Sequence, residues 1–328
     1  MIIDQKFNFN FDIAEPKQKN NIVVFFLSSK EQIKDNFLAF PDALKNNLTE
    51  VEEVNEKGFV GNLKVTNKSA QKLLILGSEI LVGNKLKQNR VVDETTLIAE
   101  NSTTNLKVSC CEKNRWSPAV AESISLSETL LFSKARTNNA EDIYNSKQKR
   151  VDQFRVWNDI DEKIEEHEAK SFTSSVEDIY KKRRSNVEEI VQFFQPGDND
   201  IGVVLGIGSR LVSLDVFSSN KMLKVYLSGL IRSVSLDSFK RTNYKTYLKT
   251  KDVHKFLRLI EHSNKRVYKK STTGSLGDYL RFNDQLVAGS VLTYKTQTIH
   301  FSGFLKEFST TPEYKSKVAW NMNNIRKE

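Results

Sequence analysis

Short apolar runs dominate the chain from residue 22 to residue 116. The runs "NIVVFFL", "GFVGNLKVTN", "KLLILG", "EILVG", "TTLIA" and "NLKVSCC" are separated by polar or glycine residues, as strands are. Strict alternation in "TNLKVSCCE" puts Cys110 with the apolar set and Cys111 with the polar set. The pattern predicts a β-rich N-terminal part, interrupted by one short helix in "FPDALKNNL".

After Pro118 the apolar residues recur at helical spacing. This spacing runs through "AVAESISLSETLLF" and through "AEDIYNSKQKRVDQFRVWNDIDEKIEEHEAK". A further amphipathic helix is predicted over 175–194, with an N-cap in "TSS" and a breaker in "QPGDND". The middle of the chain is therefore predicted to consist of amphipathic helices.

The last third mixes strands and helices. "IGVVLGIG" and "RLVSLDVF" are predicted strands, helices follow at 220–239 and 252–263, and "QLVAGSVLTY" and "QTIHFSGF" are terminal strands. Gly206 and Gly208 superficially suggest a dinucleotide-binding turn, but the third glycine is absent and a strand follows, so a hairpin fits better.

The element order predicts an α+β fold, since regular βαβ alternation is absent. We expect a β-rich N-terminal region at 1–118, a helical region at 119–195, and a mixed region at 196–310 packed with the first into one domain. A polar tail at 311–328 completes this division.

The composition is typical of a folded protein, and the sequence contains clusters of basic residues. The chain has 328 residues, 38% hydrophobic, and a net charge of +9. No apolar stretch has membrane-spanning length and the start lacks a signal-peptide pattern, which predicts a cytoplasmic protein without membrane contact. Basic runs at 181–184, 239–252 and 264–270 are either solvated helix faces or a surface for nucleic acid or an acidic partner.

Metal and nucleophile motifs are missing. The two cysteines are adjacent and the four histidines form no HxxxH, HExxH or CxxC arrangement, so no metal site is predicted and no cofactor can be assigned. GxSxG, Walker and SxxK motifs are also absent. Asp215, within the apolar run "LVSLDVF", must be hydrogen-bonded, paired or exposed, and a ligand-binding role and a structural role are equally open.

Two segments carry the candidate site. Each has a carboxylate and an arginine near a strand end: Glu79 with Arg90, and Glu112 with Arg115. Guanidinium groups bind phosphate, glutamate can accept ribose hydroxyls or act as acid/base, and an indole stacks on a base. The predicted catalytic residues are Glu79 and Glu112, and the predicted ligand-binding residues are Lys87, Gln88, Asn89, Arg90, Arg115, Trp116 and Asp215. Alternatively, these groups pair with one another to tie the strands together.

The same segments resemble a bacterial domain family named for its association with ADP-ribosylglycohydrolases and rhodanese-like phosphatases. The resemblance rests on Gly77 and Glu79 with "ILVG", on "KQNRVV", and on "VSC" followed by Glu112, Arg115 and Trp116. It continues in "QFRVWNDI", in "VVLGIGSRLVSLDVF" and near His300, and so covers most of the chain. Two departures are the serine between Gly77 and Glu79 and a longer "NKLKQNR" loop.

The resemblance implies ADP-ribose or phosphate chemistry, in RNA-repair or defence settings. The leading hypothesis is therefore binding or processing of an ADP-ribose-like or other nucleotide ligand. In it Arg90 and Arg115 hold phosphate, Trp116 stacks, and Gln88 and Asn89 orient the ligand. The competing hypotheses are a non-enzymatic basic interaction module and a scaffold in which the polar blocks only hold strands together.

Overall fold

The computed structural model describes residues 10–30, 32–33, 37–54, 61–83, 86, 88–115, 124–239, 248–269 and 274–306. Within them lie six helices and nineteen strands. The helices are α1 (Phe40–Lys45), α2 (Ser133–Asn145), α3 (Gln153–His167), α4 (Val176–Phe193), α5 (Asn220–Ser238) and α6 (Thr250–His262). The predicted polar tail at 311–328 lies outside the described residues.

The strands fall into three sheets. In chain order they are β1 (Asp12–Ile13), β2 (Lys17–Lys19), β3 (Ile22–Ser28), β4 (Leu38–Ala39), β5 (Thr49–Glu53), β6 (Asn62–Asn67), β7 (Leu73–Ile75), β8 (Glu79–Gly83), β9 (Arg90–Val92), β10 (Thr96–Ile98), β11 (Ser102–Cys110), β12 (Ile124–Leu130), β13 (Asp200–Ile207), β14 (Arg210–Phe217), β15 (Lys265–Lys269), β16 (Ser275–Leu276), β17 (Asp278–Asn283), β18 (Val287–Tyr294) and β19 (Gln297–Leu305). The α+β fold class with a β-rich N-terminal part is confirmed.

The largest sheet joins the two ends of the chain. Its order is β1-β3-β13-β14-β19-β18-β17-β15, with β2 paired to β3, and its pairs are antiparallel. A six-stranded sheet has the order β12-β8-β9-β11-β6-β5, and a four-stranded sheet has the order β16-β10-β7-β4. The N-terminal strand β3 therefore lies beside β13, far from its neighbours in sequence.

Helices cover both faces of the large sheet, which explains why β3 is a continuous apolar run. Val24 and Phe26 pack into the core that contains α5, whereas Val23 and Phe25 pack into the core on the α6 side. A strand buried on both faces cannot alternate between apolar and polar residues. The hairpin predicted at Gly206 and Gly208 is also confirmed, since β13 pairs with β14 across that turn.

Helix boundaries follow their capping residues. Ser175 caps α4 by accepting from the backbone N–H of Glu177 at 3.3 Å, and α4 ends before Pro196, as predicted. Asp152 caps α3 through its carboxylate, which accepts from the N–H of Phe154 at 2.9 Å. The long helical pattern over 140–170 is consequently divided between α2 and α3.

Two sequence predictions are wrong. The helical spacing in 119–132 is contradicted over Ile124–Leu130, which forms β12 against β8, with a bulge between Leu126 and Leu130. Ile124 and Leu126 also fit a period of two, and pairing with β8 decides between the two structures. Cys111, expected on the polar side, is fully buried in the core around α2 and α3, because regular alternation ends with β11 at Cys110.

We expect Gly289→Ala to destabilise the large sheet. A Cβ atom at Gly289 would overlap the carbonyl oxygen of Ser302 and the ring of Phe282, so backbone must move. The expected loss is about 1–3 kcal/mol of unfolding free energy in urea titrations. Gly197→Ala is the control, since its Cβ would stand 3.3 Å from a side-chain oxygen of Asp200. Equal stabilities of the two variants would contradict this view of the packing.

Candidate functional site

The structure brings the two predicted segments together. Arg90 in β9 pairs with Cys110 at the end of β11, so residues 88–90 lie beside Glu112 and Arg115. Lys87 and Trp116 lie outside the described residues. The described part of this region is named the strand-end cluster and consists of Gln88, Asn89, Arg90, Glu112 and Arg115.

The arginines of the strand-end cluster are engaged by the protein itself. Each nitrogen of Arg115 donates to an acceptor: Nε to Glu112 at 2.9 Å, Nη1 to the carbonyl of Leu86 at 2.9 Å, and Nη2 to Oδ1 of Asn89 at 3.0 Å. Arg90 is buried and donates to Gln88 and to Glu53. Both guanidinium groups therefore join neighbouring backbone segments, and their role as phosphate ligands stays a prediction.

The two predicted catalytic carboxyls have opposite electrostatics. Burial raises the pKa of Glu112, but hydrogen bonds from Arg115, Thr173 and the Asn89 backbone outweigh it and bring that pKa below its ordinary value. Burial raises the pKa of Glu79 well above its ordinary value, and the hydrogen bond from the Leu76 N–H only partly opposes this. Glu112 is thus an ionised acceptor, and Glu79 favours its neutral form.

A polar cavity lies on the face of the large sheet that α2 covers. Cross-strand pairing places Arg281 opposite Ser290, Ser290 opposite Ser302, and Ser302 opposite Asp215. Directly paired residues project from the same face of a sheet, so four adjacent strands present a polar row. Arg136 and Asn139 of α2, together with Thr95 before β10, complete the cavity wall.

Buried hydrogen bonds connect this wall. Arg136 donates from Nη2 to Oδ1 of Asp215 at 2.8 Å, and Nε2 of His300 lies 3.3 Å from the same oxygen. Nδ1 of His300 lies 3.0 Å from the hydroxyl of Thr95. Arg281 pairs in turn with Glu94. Asp215, which the sequence singled out, therefore sits at the centre of the network.

The charges in the network are fixed by burial and pairing. Burial favours the neutral form of Asp215, but Arg136 and His300 outweigh this and hold the pKa of Asp215 below its ordinary value. Burial also lowers the pKa of His300, despite the opposing effect of Asp215. At neutral pH the network accordingly contains an ionised Asp215 and a neutral imidazole.

Several donors at the cavity have no acceptor. Arg136 is 2% exposed, and among the described residues its Nε and Nη1 atoms have no hydrogen-bond partner; the same holds for Nδ2 of Asn139. The guanidinium group stacks on Phe304, with 4.9 Å between its carbon and the ring centroid. An orphaned buried donor costs about 1–3 kcal/mol, so a water or ligand oxygen at this position is strongly favoured.

The cavity is small. Its volume is about 40 Å³, whereas sites for drug-sized ligands enclose roughly 300–1,000 Å³. A larger cleft of about 850 Å³ lies between α2, α3 and the β17–β18 turn. Its three basic residues are already paired at 2.5–2.6 Å, Lys134 with Glu162, Arg155 with Asp142 and Lys306 with Glu141. The small cavity therefore differs from the larger cleft in having donors, on Arg136 and Asn139, without an acceptor among the described residues.

The basic cluster at 181–184 is partly engaged. Arg184 pairs with Glu128 at 2.8 Å, Lys181 lies 3.6 Å from Asp178, and Arg183 stacks over Phe239. Most of the run at 239–252 lies outside the described residues. Nucleic-acid binding by these clusters stays a prediction.

Sequence reasoning missed Arg136, His300, Thr95 and Asn139 because they come from segments far apart in the chain. The available signal was a polar residue inside an apolar strand. It identified Asp215 in "LVSLDVF", and the same criterion applied to "QTIHFSGF" would have selected His300. Arg136 and Asn139 lie in the polar helix α2, where nothing distinguishes them from surface residues.

The fold and cavity define an α+β protein with a donor-rich polar site between α2 and a large antiparallel sheet. Within the described residues there is no cluster of His, Cys, Asp and Glu suited to a metal ion, and no helix is long and apolar enough to cross a membrane.

The chain belongs to the family described as ARG and Rhodanese-Phosphatase-superfamily-associated Protein domain, whose model matches residues 10–304. This confirms the resemblance in the sequence. Searches of curated proteins and of solved structures give no match.

We expect Asp93→Asn to stabilise the protein more at pH 8 than at pH 5. Burial raises the pKa of Asp93 to about 7, with the Ser109 hydrogen bond opposing it. The unfolded carboxyl titrates near about 3.9, so between pH 4 and pH 7 the folded chain holds a proton that the unfolded chain has lost. Wild-type stability therefore falls as pH rises, and the variant removes this loss, about 2–4 kcal/mol.

Urea unfolding at both pH values measures this difference. Asp198→Asn, at a side chain that is 98% exposed, is the control and should change stability by less than about 0.5 kcal/mol at either pH. Parallel pH profiles of wild type and Asp93→Asn would contradict the raised pKa.

We expect Glu112→Gln to destabilise the protein at pH 7, because Arg115 loses its counter-charge. The expected loss is about 1–3 kcal/mol in urea unfolding. The pKa of Glu112 is lowered in the folded state, so the difference should vanish as pH falls through that folded pKa. Glu52→Gln, which breaks the exposed Glu52–Lys64 pair, is the control and should cost less than about 1 kcal/mol. A fully stable Glu112→Gln protein would argue against a structural strand-end cluster.

Proposed function

We propose that the protein binds a phosphate-bearing, nucleotide-like small molecule, of which ADP-ribose is the model, and that a phosphate oxygen occupies the cavity beside Arg136. The observation that carries the proposal is the buried Arg136 guanidinium group, which uses only Nη2 on Asp215 and leaves Nε and Nη1 without a partner among the described residues. A planar guanidinium with two free donor nitrogens is suited to an oxyanion.

The cavity lining combines further donors with two carboxyls, of which Asp93 has a pKa raised to about 7 by burial and Glu94 is paired with Arg281. Asn139 adds an amide donor without a partner in the described part of the chain, and the Ser290 and Ser302 hydroxyls line the cavity. Phe304 supports the face of Arg136 and so fixes the plane of its donors. A cavity of about 40 Å³ has room for one compact group, so the remainder of a nucleotide would lie outside it.

The family supports the proposal at a coarse level. Its description associates it with the ADP-ribosylglycohydrolase and rhodanese-phosphatase superfamilies, which suggests ligands that carry phosphate. Association does not specify a reaction. A role in RNA repair or defence belongs to the same proposal.

The strand-end cluster offers a competing position for the phosphate. Arg115 could take up a ligand only by releasing protein acceptors, because each of its nitrogens already donates to Glu112, Leu86 or Asn89. Arg90 binds Gln88 and Glu53, and only its Nε lacks an acceptor among the described residues, compared with two nitrogens of Arg136. Binding at Arg136 requires no such exchange. This difference favours the cavity and can be tested by substituting each position.

We expect inorganic phosphate and ADP-ribose to raise the melting temperature of the wild-type protein, since a ligand that binds the folded state stabilises it. Asn139→Asp should weaken binding by at least about tenfold, because the added carboxylate repels the anion and competes for Arg136. Thermal shift, followed by titration calorimetry of each variant, measures the effect.

Two variants control this experiment. Asn145→Asp makes the same chemical change at an exposed position of α2 and should leave binding unchanged. Arg115→Lys tests the competing position. The proposal fails if neither ligand stabilises the wild-type protein, or if Arg115→Lys abolishes binding while Asn139→Asp binds normally.

A further inference from the structure

Thr95, His300 and Asp215 form a continuous hydroxyl–imidazole–carboxylate chain. The Thr95 hydroxyl lies 3.0 Å from Nδ1 of His300, and Nε2 of His300 lies 3.3 Å from Oδ1 of Asp215. All three residues are buried. They come from different elements: Thr95 precedes β10, Asp215 lies in β14 and His300 lies in β19.

The pairing pattern fixes the positions of the protons. Asp215 is ionised, so it can only accept, and the hydrogen between it and His300 must be on Nε2. Nδ1 of the neutral imidazole is then an acceptor, and Thr95 donates its hydroxyl proton to it. The Thr95 oxygen also accepts from the backbone N–H of Gly77 at 3.0 Å. The imidazole is therefore oriented to remove a proton from Thr95.

We propose that Thr95 is a nucleophile for phosphoryl transfer, with His300 as its general base and Asp215 as the positioning residue. The inference rests on the proposed function, since it places the bound phosphate beside the unmatched donors of Arg136. Thr95, His300 and Arg136 line the same cavity. A nucleophile hydrogen-bonded to a base that a third group orients is the arrangement that covalent catalysis requires.

The contacts of Thr95 differ from those of three other buried threonines. Thr49, Thr129 and Thr137 each donate to a backbone carbonyl, as structural threonines do. Thr95 instead meets an imidazole at a cavity. Gly77 allows this approach, because a Cβ at Gly77 would stand 2.9 Å from the backbone nitrogen of Thr95.

The reaction balances with the ligand and water alone. Oγ1 of Thr95 attacks phosphorus, the bond from phosphorus to the leaving oxygen breaks, and the Thr95 proton passes through Nδ1 of His300 to that oxygen. Arg136 and Asn139 donate to the remaining phosphoryl oxygens. Water then attacks the phosphothreonine, gives its proton to His300, and releases phosphate as Thr95 recovers its proton.

We expect the wild-type protein to hydrolyse p-nitrophenyl phosphate and to carry one phosphoryl group on Thr95 after acid quenching. Thr95→Val, which keeps the shape but lacks the hydroxyl, should lower kcat at least about 100-fold, and Thr95→Ser should retain much of it. Thr103→Val, at an exposed threonine of β11, is the control and should be unchanged. Release of p-nitrophenol and mass spectrometry of the Thr95 peptide measure these outcomes.

Phosphate binding, measured separately by thermal shift, distinguishes this inference from the proposed function. Phosphate binding in Thr95→Val together with lost turnover supports both. Turnover unchanged in Thr95→Val, a phosphoryl group on another residue, or neither hydrolysis nor an adduct in a wild-type protein that binds phosphate would overturn the nucleophile and leave the binding function intact. Should Thr95→Val fail to fold, the quenched wild-type protein still decides the case.

Discussion

The buried ion pair between Arg136 and Asp215 is the interaction on which the centre of the molecule depends. It ties α2 to β14, and through His300 and Thr95 it continues to the turn before β10. The ion pair and the two hydrogen bonds that continue from it therefore connect the large sheet, α2 and the segment that precedes the four-stranded sheet. Breaking such a pair by removing one partner typically costs about 3–5 kcal/mol, since a single charge is left buried.

Replacing both charges with apolar groups would often cost little, so stability alone does not explain a buried pair. The row Arg281, Ser290, Ser302 and Asp215 crosses four strands whose opposite face is packed with apolar residues. On the face that α2 covers, the polar residues of that row replace apolar side chains that would contribute hydrophobic burial. This loss of hydrophobic stabilisation is explained if the polar positions bind a ligand, because a ligand site needs donors that are held in place before the ligand binds.

The sequence patterns predicted the helices and strands better than they predicted the residues of the candidate site. Uninterrupted apolar runs revealed β3 and the β13–β14 hairpin, and capping residues located α4 within a residue or so. In contrast, β17 was not recognised from "DYLRFN", where Arg281 occupies a buried position. Arg281 interrupts the apolar pattern that would indicate a buried strand, and it also lines the cavity. Arg281 thus both lines the cavity and weakens the sequence signal for its own strand.

Residue type alone does not separate a structural arginine from a ligand-binding one. Arg115 belongs to a recognisable motif, yet each of its three nitrogens already donates to Glu112, Leu86 or Asn89. Arg136 belongs to no motif and has two nitrogens without an acceptor among the described residues. Because buried donors are almost always satisfied, the unmatched donors at Arg136 call for an oxygen that the described chain does not supply. Unmatched hydrogen-bond donors can be identified only in the folded structure, so they point to a candidate position at Arg136 that sequence spacing does not indicate.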